Sequence, residues 1–329
     1  MSKKKVVYLF GAGATHAEII NFNKFFDENF TDDNGLLVSN VSKRVMKAAQ
    51  NINWFNKNKK NFTSAEGSLN IELLISLFEA NYIPDEYITN LKELVQLDIK
   101  KRLTTYRKQR FYLHKSLFEL HSKNEEKESL IGIISLNYDT VIDEAYKEFH
   151  GEPNYCFTSE RKDDLPLLKL HGSFNWRGKK IYGKSKSIPI LPIGTNKNYL
   201  SPPYNFIWGR AFELLVECEV LRIVGCSLSQ NDTGLIDLLF KAHLERGKKI
   251  IMEIIDFQPQ NSHHPIKTSY GFFHGIVEPK DIEGTLIADE AISKPEVGNP
   301  FKIWLRAKGE KTLDYRITET KYLKKCFDS

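Results

Sequence analysis

Two observations in the sequence predict an α/β fold: a mostly parallel sheet with helices on both faces. Strand-like apolar runs alternate with helical patterns along the chain, and the first of those runs ends in a glycine-rich turn. Val6 to Phe10 is β-branched and aromatic, and it gives way to Gly11-Ala12-Gly13-Ala14-Thr15. That reads as a buried parallel strand entering a tight turn, with a helix to follow. Between Ser68 and Leu120 the pattern changes. Ile71, Leu73, Leu74, Leu77 and Phe78, then Leu91, Leu94, Val95 and Leu97, recur at helical spacing with charges between them. This predicts an all-helical insertion, at about residues 40–128, with Pro84-Asp85 separating its two main helices. Strand signals return at Leu130–Leu136, Leu165–Leu170, Val220–Val224 and Lys249–Asp256, and helical patterns fall at Thr140–Phe149, Ile207–Glu217 and Thr233–Arg246. Residues 1–256 are therefore read as one ligand-binding domain carrying the insertion. Residues 257–329, rich in proline, read as an extension of loops and short strands with one late helix near Lys302–Lys308. That extension either packs on the domain or serves as an assembly surface.

With 329 residues, 41% hydrophobic and 27% charged, the chain has enough apolar content to bury a full core. Its net charge of +5 is modest: it suits an anionic ligand without indicating nucleic acid. Lys3 to Lys5 and Lys57 to Lys60 read as solvated edges. Cys156, Cys218, Cys226 and Cys326 are scattered with no Cys-x-x-Cys pair, which argues against a zinc ribbon or a disulfide frame and fits reduced thiols. His263-His264 lacks the further ligands a metal site needs, so no metal is expected. The basic start followed by an apolar run resembles a signal peptide, but glycines, His16 and Glu18 interrupt it within a few residues. No apolar run approaches the roughly 20 residues of a membrane helix, so a soluble, cytoplasmic protein is expected.

Candidate chemistry collects at the predicted carboxyl ends of the strands, where ligands sit in parallel sheets. Glycines in Gly11-Ala12-Gly13-Ala14-Thr15 let backbone N–H groups approach a pyrophosphate, and the following helix start adds partial positive charge. A tight turn with no ligand is the other reading. A dehydrogenase would carry a third glycine where this chain has His16. After the second strand, Asn137 sits where its amide can donate to and accept from a ribose hydroxyl or a water. Asp139, just before Thr140, reads as an N-cap, a ligand contact or both. After the third strand, His171 is followed by Gly172, which leaves room for a ligand, and an imidazole there suits proton transfer from a sugar hydroxyl or a water. After the fourth, Gly225-Cys226-Ser227-Leu228 can admit a ribose or phosphate or be one more turn, with Asn231-Asp232 capping the next helix. Asp256 closes the last strand, where it could grip ribose hydroxyls or simply be solvated.

In this order, the motifs Gly-Ala-Gly-Ala-Thr, Ser-Leu-Asn-Tyr-Asp, Leu-His-Gly-Ser and Gly-Cys-Ser-Leu resemble the sirtuin family, in particular its bacterial sirtuin-like branch linked to antiphage defence. The resemblance spans roughly Val6 to Asp256, while the insertion between Phe22 and Glu128 and the tail match only in placement. It implies NAD⁺ bound across a Rossmann-like sheet, with Gly11, Ala12, Gly13, Ala14 and Thr15 at the phosphates and Asn137 and Asp139 near the nicotinamide ribose. It also implies His171 as the base, with Gly225 and Ser227 as a cofactor-contacting turn. The four-cysteine zinc module of protein-deacetylating sirtuins is missing, so the implied activity is NAD⁺ hydrolysis to nicotinamide and ADP-ribose. An NAD-dependent deacylase and a non-catalytic NAD or ADP-ribose sensor are the alternatives. The implied partners are further copies of the chain and a defence-system component such as an ATPase.

Overall fold

The computed structural model describes residues 2–16, 18, 37–49, 71, 74, 75, 78, 85–106, 112–122, 126–160, 163–176, 199–228, 232–247, 251–256 and 302–304. Six strands form one sheet: β1 Lys4–Phe10, β2 Glu128–Ser135, β3 Leu167–Lys169, β4 Val220–Val224, β5 Ile251–Asp256 and β6 Lys302–Trp304. Their order is β3-β2-β1-β4-β5-β6. The first five run parallel, and β6 pairs antiparallel with β5, Asp256 lying opposite Lys302. The chain order reverses direction across the sheet between β1 and β4, and the crevice outside the strand ends at such a switch point is the ordinary ligand position of a doubly wound sheet. The late helix expected near Lys302–Lys308 is instead β6 over its first three residues. A three-residue strand is too short to leave a periodic signal, and it forms here by pairing with the outer edge of β5.

Among the described residues the helices with stated bounds are α1 Val38–Ala49, α2 Asp85–Tyr106, α3 Tyr112–Ser122, α4 Val141–His150, α5 Tyr204–Glu217 and α6 Thr233–Arg246. Residues 12–16, directly after the first turn, are helical as well. β1 is buried from Val6 to Phe10 because helices cover both of its faces. Tyr8 and Phe10 point at α3, where Phe10 stacks on His114 at 5.2 Å and lies 6.5 Å from Phe118. On the opposite face α5 packs against β1, β2 and β3.

The helices between β1 and β2 have an apolar cluster of their own. Val41, Val45 and Ala49 of α1, Ile88, Leu91 and Val95 of α2, and the helical residues Ile71, Leu74, Ile75 and Phe78 are buried together with Val141 at the start of α4. Arg44 of α1 holds Asp98 of α2 through contacts of 2.6 to 3.0 Å. Leu97, on the same helical spacing in α2, is 62% exposed. Leu73, Leu77, His263 and His264 lie outside the described residues. Among the described residues no helix is long and apolar enough to cross a membrane.

Beneath α3 a charged cluster is buried in the sheet. Arg222 of β4 grips Glu128 of β2 with two bonds of 2.7 and 2.8 Å and reaches Tyr8 Oη at 3.3 Å and His121 Nδ1 at 3.4 Å. Burial, followed by the Arg222 charge, pushes the His121 imidazole down to about 4. A histidine whose folded value lies below its unfolded value of about 6.5 contributes stability that is fully present above pH 6.5 and is lost as the pH falls towards 4. At pH 5 the loss is on the order of 2 kcal/mol. Denaturant midpoints at pH 7 and pH 5 for the parent and a His121→Gln variant measure it: the parent drops more than the variant, and equal drops contradict the assignment.

Candidate functional site

The turn after β1 and the turn after β4 are packed backbone to backbone. Gly11 N–H donates to Val224 O at 2.9 Å and Gly13 N–H to Gly225 O at 2.7 Å. A β-carbon on Gly13 would stand 2.6 Å from Gly225 O, and one on Gly225, whose φ is +54°, would stand 2.1 Å from Ala14 N. Neither neighbour is a side chain that can swing away, so glycine at 13 and 225 is required by the joining of the two central strands at the switch point. The N–H of Ala14 donates to Gly11 O at 3.1 Å. Ala12, the first helical residue, has no acceptor for its N–H within the helix.

From this junction a chain of hydrogen bonds runs to the end of β2. Asn137 Nδ2 donates to Gly11 O at 2.8 Å and to Thr15 Oγ1 at 3.1 Å, and the Thr15 hydroxyl donates to Asp139 Oδ2 at 2.9 Å. With its nitrogen so committed, the Asn137 carbamoyl oxygen is the atom left for a ligand hydroxyl or a water. Asp139 Oδ1 accepts from Val141 N–H at 3.0 Å, so this carboxylate holds the start of α4 with one oxygen and Thr15 with the other. Thr15, Asn137 and Asp139 are all buried.

His171 stands at the end of β3. Its Nδ1 lies 3.1 Å from Leu136 O, the carbonyl of the residue before Asn137. A carbonyl only accepts, so Nδ1 carries the hydrogen and Nε2 is the nitrogen that gains or loses a proton. Nε2 lies 3.1 Å from Asp232 Oδ2, an ion pair when the imidazole is protonated, with the two side chains 7% and 12% exposed. The Tyr138 ring lies 5.9 Å from the imidazole. Gly172, at φ +93°, turns the chain so that its N–H returns to Lys169 O at 3.1 Å.

The structure thus brings Gly11, Gly13, Thr15, Asn137 and Asp139 into one connected set, places His171 against the residue next to Asn137, and joins Gly225 to Gly13. Ala12 and Ala14 are in the same turn, Ala14 fully buried. Ser227 is half-buried on the β4 turn beside Leu228, whose φ is +47°. Asp256 is set apart by position, two strands from β1 at the end of β5, and its side chain lies outside the described residues. Asp232 stands at the N-cap position of α6 that the sequence assigns it. It precedes α6 without a side-chain cap bond and turns its carboxylate to His171 instead. An acidic residue beyond the end of β4, on the same sheet edge as His171, was the available signal for that pairing.

Among the described residues no group of three or more His, Cys, Asp or Glu could hold a metal ion. No curated protein matches the chain. Similar solved structures include a Sir2 homologue in complex with NAD, 13% identical over 87% of this chain and 91% of that one, TM-score 0.34. Another is a Sir2 homologue mutant in complex with 2′-O-acetyl ADP ribose, 14% identical over 76% of this chain and 80% of that one, TM-score 0.33. A third is Sir2Tm bound to a propionylated peptide, 13% identical over 75% and 79%, TM-score 0.31. Residues 132–260, from within β2 to just past the end of β5, match the family model described as the SIR2-like domain.

Proposed function

We propose that this protein is an NAD⁺ hydrolase that adds water across the bond between nicotinamide and ribose, releasing nicotinamide and ADP-ribose. One observation supports this reading above the others: the Asn137–Thr15–Asp139 chain and the Leu136–His171–Asp232 chain adjoin at the carboxyl ends of the strands beside the switch point. The donor set fits the dinucleotide. Ala12 N–H and the helix start at residue 12 suit a phosphate, and the Asn137 carbamoyl oxygen suits a sugar hydroxyl or the attacking water. Pyridinium is already a good leaving group, so the protein's task is to orient the ribose and balance the positive charge that develops on it. His171 Nε2 takes a proton from a ribose hydroxyl or from the water, and Asp232 stabilises the imidazolium so formed. Asp139 adds negative charge nearby. None of these steps requires the four-cysteine module that frames an acyl-lysine groove, and the chain has no Cys-x-x-Cys pair from which to build one.

The setting in antiphage defence by NAD⁺ depletion, and control by self-association or by a partner such as an ATPase, rest on the resemblance of the sequence motifs. Incubating purified protein with NAD⁺ over a dilution series, with and without an acylated lysine peptide, and separating the products by chromatography tests the activity. Nicotinamide and ADP-ribose in equal amounts without peptide are expected. Consumption that requires the peptide would make the protein a deacylase, and saturable binding with no product at any concentration would make it a sensor.

A further inference from the structure

Lys169 of β3 and Asp143 of α4 are both fully buried, with Lys169 Nζ 2.7 Å from Asp143 Oδ2. Taking two charges out of water costs several kcal/mol per ion, and a pair of apolar side chains of similar volume is often as stable or more so. Stability alone therefore does not account for an ammonium placed two residues before His171. Its second bond does. Lys169 Nζ also donates to the main-chain carbonyl of Asp139, on the turn that carries Asn137 and faces Thr15.

The acceptor side of the pair is fully engaged. Asp143 Oδ1 accepts from Asn175 Nδ2 at 3.1 Å and from the Tyr155 hydroxyl. Asn175 Nδ2 also reaches Tyr155 Oη at 3.1 Å. Burial, followed by the adjacent Asp143 carboxylate, holds the Tyr155 phenol far above its ordinary range, so it stays a donor. Asp143 is thus fixed from three sides, and through Lys169 it fixes the Asp139 carbonyl. Asp139 in turn sets Thr15 with one carboxylate oxygen and Val141 N–H with the other.

We propose that Lys169 is a positioning residue: by binding the Asp139 carbonyl while anchored on Asp143, it fixes the turn on which Asn137 and Asp139 stand relative to His171. The effect on turnover rests on the NAD⁺-hydrolase reading; the effect on the turn does not. A displacement of about 1 Å in such a constellation can cost about 10²-fold in rate.

A Lys169→Met variant leaves Asp143 buried without its cation and can fail to fold, so the informative protein is the Lys169→Met/Asp143→Leu double variant. It removes both charges together and keeps the site apolar. Tyr155 then retains Asn175 as a partner. The double variant is expected to melt cooperatively, to lose at least about 10-fold in kcat for NAD⁺ with KM changed much less, and to show at least about 10-fold faster hydrogen exchange at Val141 N–H, the amide that Asp139 caps. A folded double variant with parental exchange at Val141 overturns the proposal, as does parental kcat alongside an active parent protein. If the parent cleaves no NAD⁺ while the exchange difference is present, the hydrolase reading falls and the positioning role stands.

Discussion

Replacing His171 by alanine is expected to lower NAD⁺ turnover by roughly 10²–10⁴-fold, the usual contribution of a positioned acid–base group. The loss should lie mainly in kcat, because the imidazole acts on a proton that moves only as the glycosidic bond breaks. The protein should still fold. His171 lies against Leu136 O and Asp232 Oδ2, and its removal leaves the Asp232 carboxylate, 12% exposed, without that partner, so a lower melting temperature accompanies the loss of activity. A thermal scan alongside product analysis separates the two quantities. A folded His171→Ala protein that consumes NAD⁺ at the parental rate removes His171 from the mechanism. Asn137→Ala carries the same expectation for activity with a larger effect on stability, since Asn137 Nδ2 also ties the β1 turn to Thr15.

The largest expected stability effect lies in the buried Arg222–Glu128 cluster beneath α3. Arg222→Met should destabilise the protein by about 3–5 kcal/mol, because it leaves the Glu128 carboxylate, 2% exposed, without its bidentate partner. The effect depends on pH in a direction the cluster fixes. Arg222 is one of the charges that hold His121 down, so in the variant His121 protonates more readily and can take over the pairing with Glu128, 3.8 Å away. The deficit should therefore be greatest near pH 7 and shrink on the way to pH 5. Denaturant midpoints of parent and variant at both values measure this. A deficit below about 1 kcal/mol at pH 7 would be the size of an ordinary exposed ion pair and would contradict the cluster's burial.

Much of the scaffold was legible because its signals are local. Apolar β-branched runs mark β1, β2 and β4, and glycines mark three of the turns that follow strands. Polar residues immediately after apolar runs marked Asn137, Asp139 and His171 in the same way. Long-range pairings were not legible. Asp232 looks like a helix cap because nothing in its neighbours shows that His171, some sixty residues earlier, stands opposite it. Lys169 sits inside Leu167-Leu168-Lys169-Leu170, where a lysine on a half-exposed sheet would point to water. Here helices cover both faces, so it is buried and needs Asp143. The glycines at 13 and 225 suit either a phosphate cradle or a tight turn, and no local signal shows that each is also crowded by backbone of the other turn. Helical spacing cannot say which apolar residues of a helix find a neighbour, and Leu97, on that spacing in α2, is exposed.

A crystal structure of the His171→Ala variant grown with NAD⁺ tests the central claim most directly. The dinucleotide is expected in the crevice beside the β1 and β4 turns, with a hydroxyl of its nicotinamide ribose within hydrogen-bond distance of Asn137 and the reacting carbon facing the space vacated at position 171. NAD⁺ bound elsewhere on the protein, or a ribose out of reach of Asn137, would contradict it.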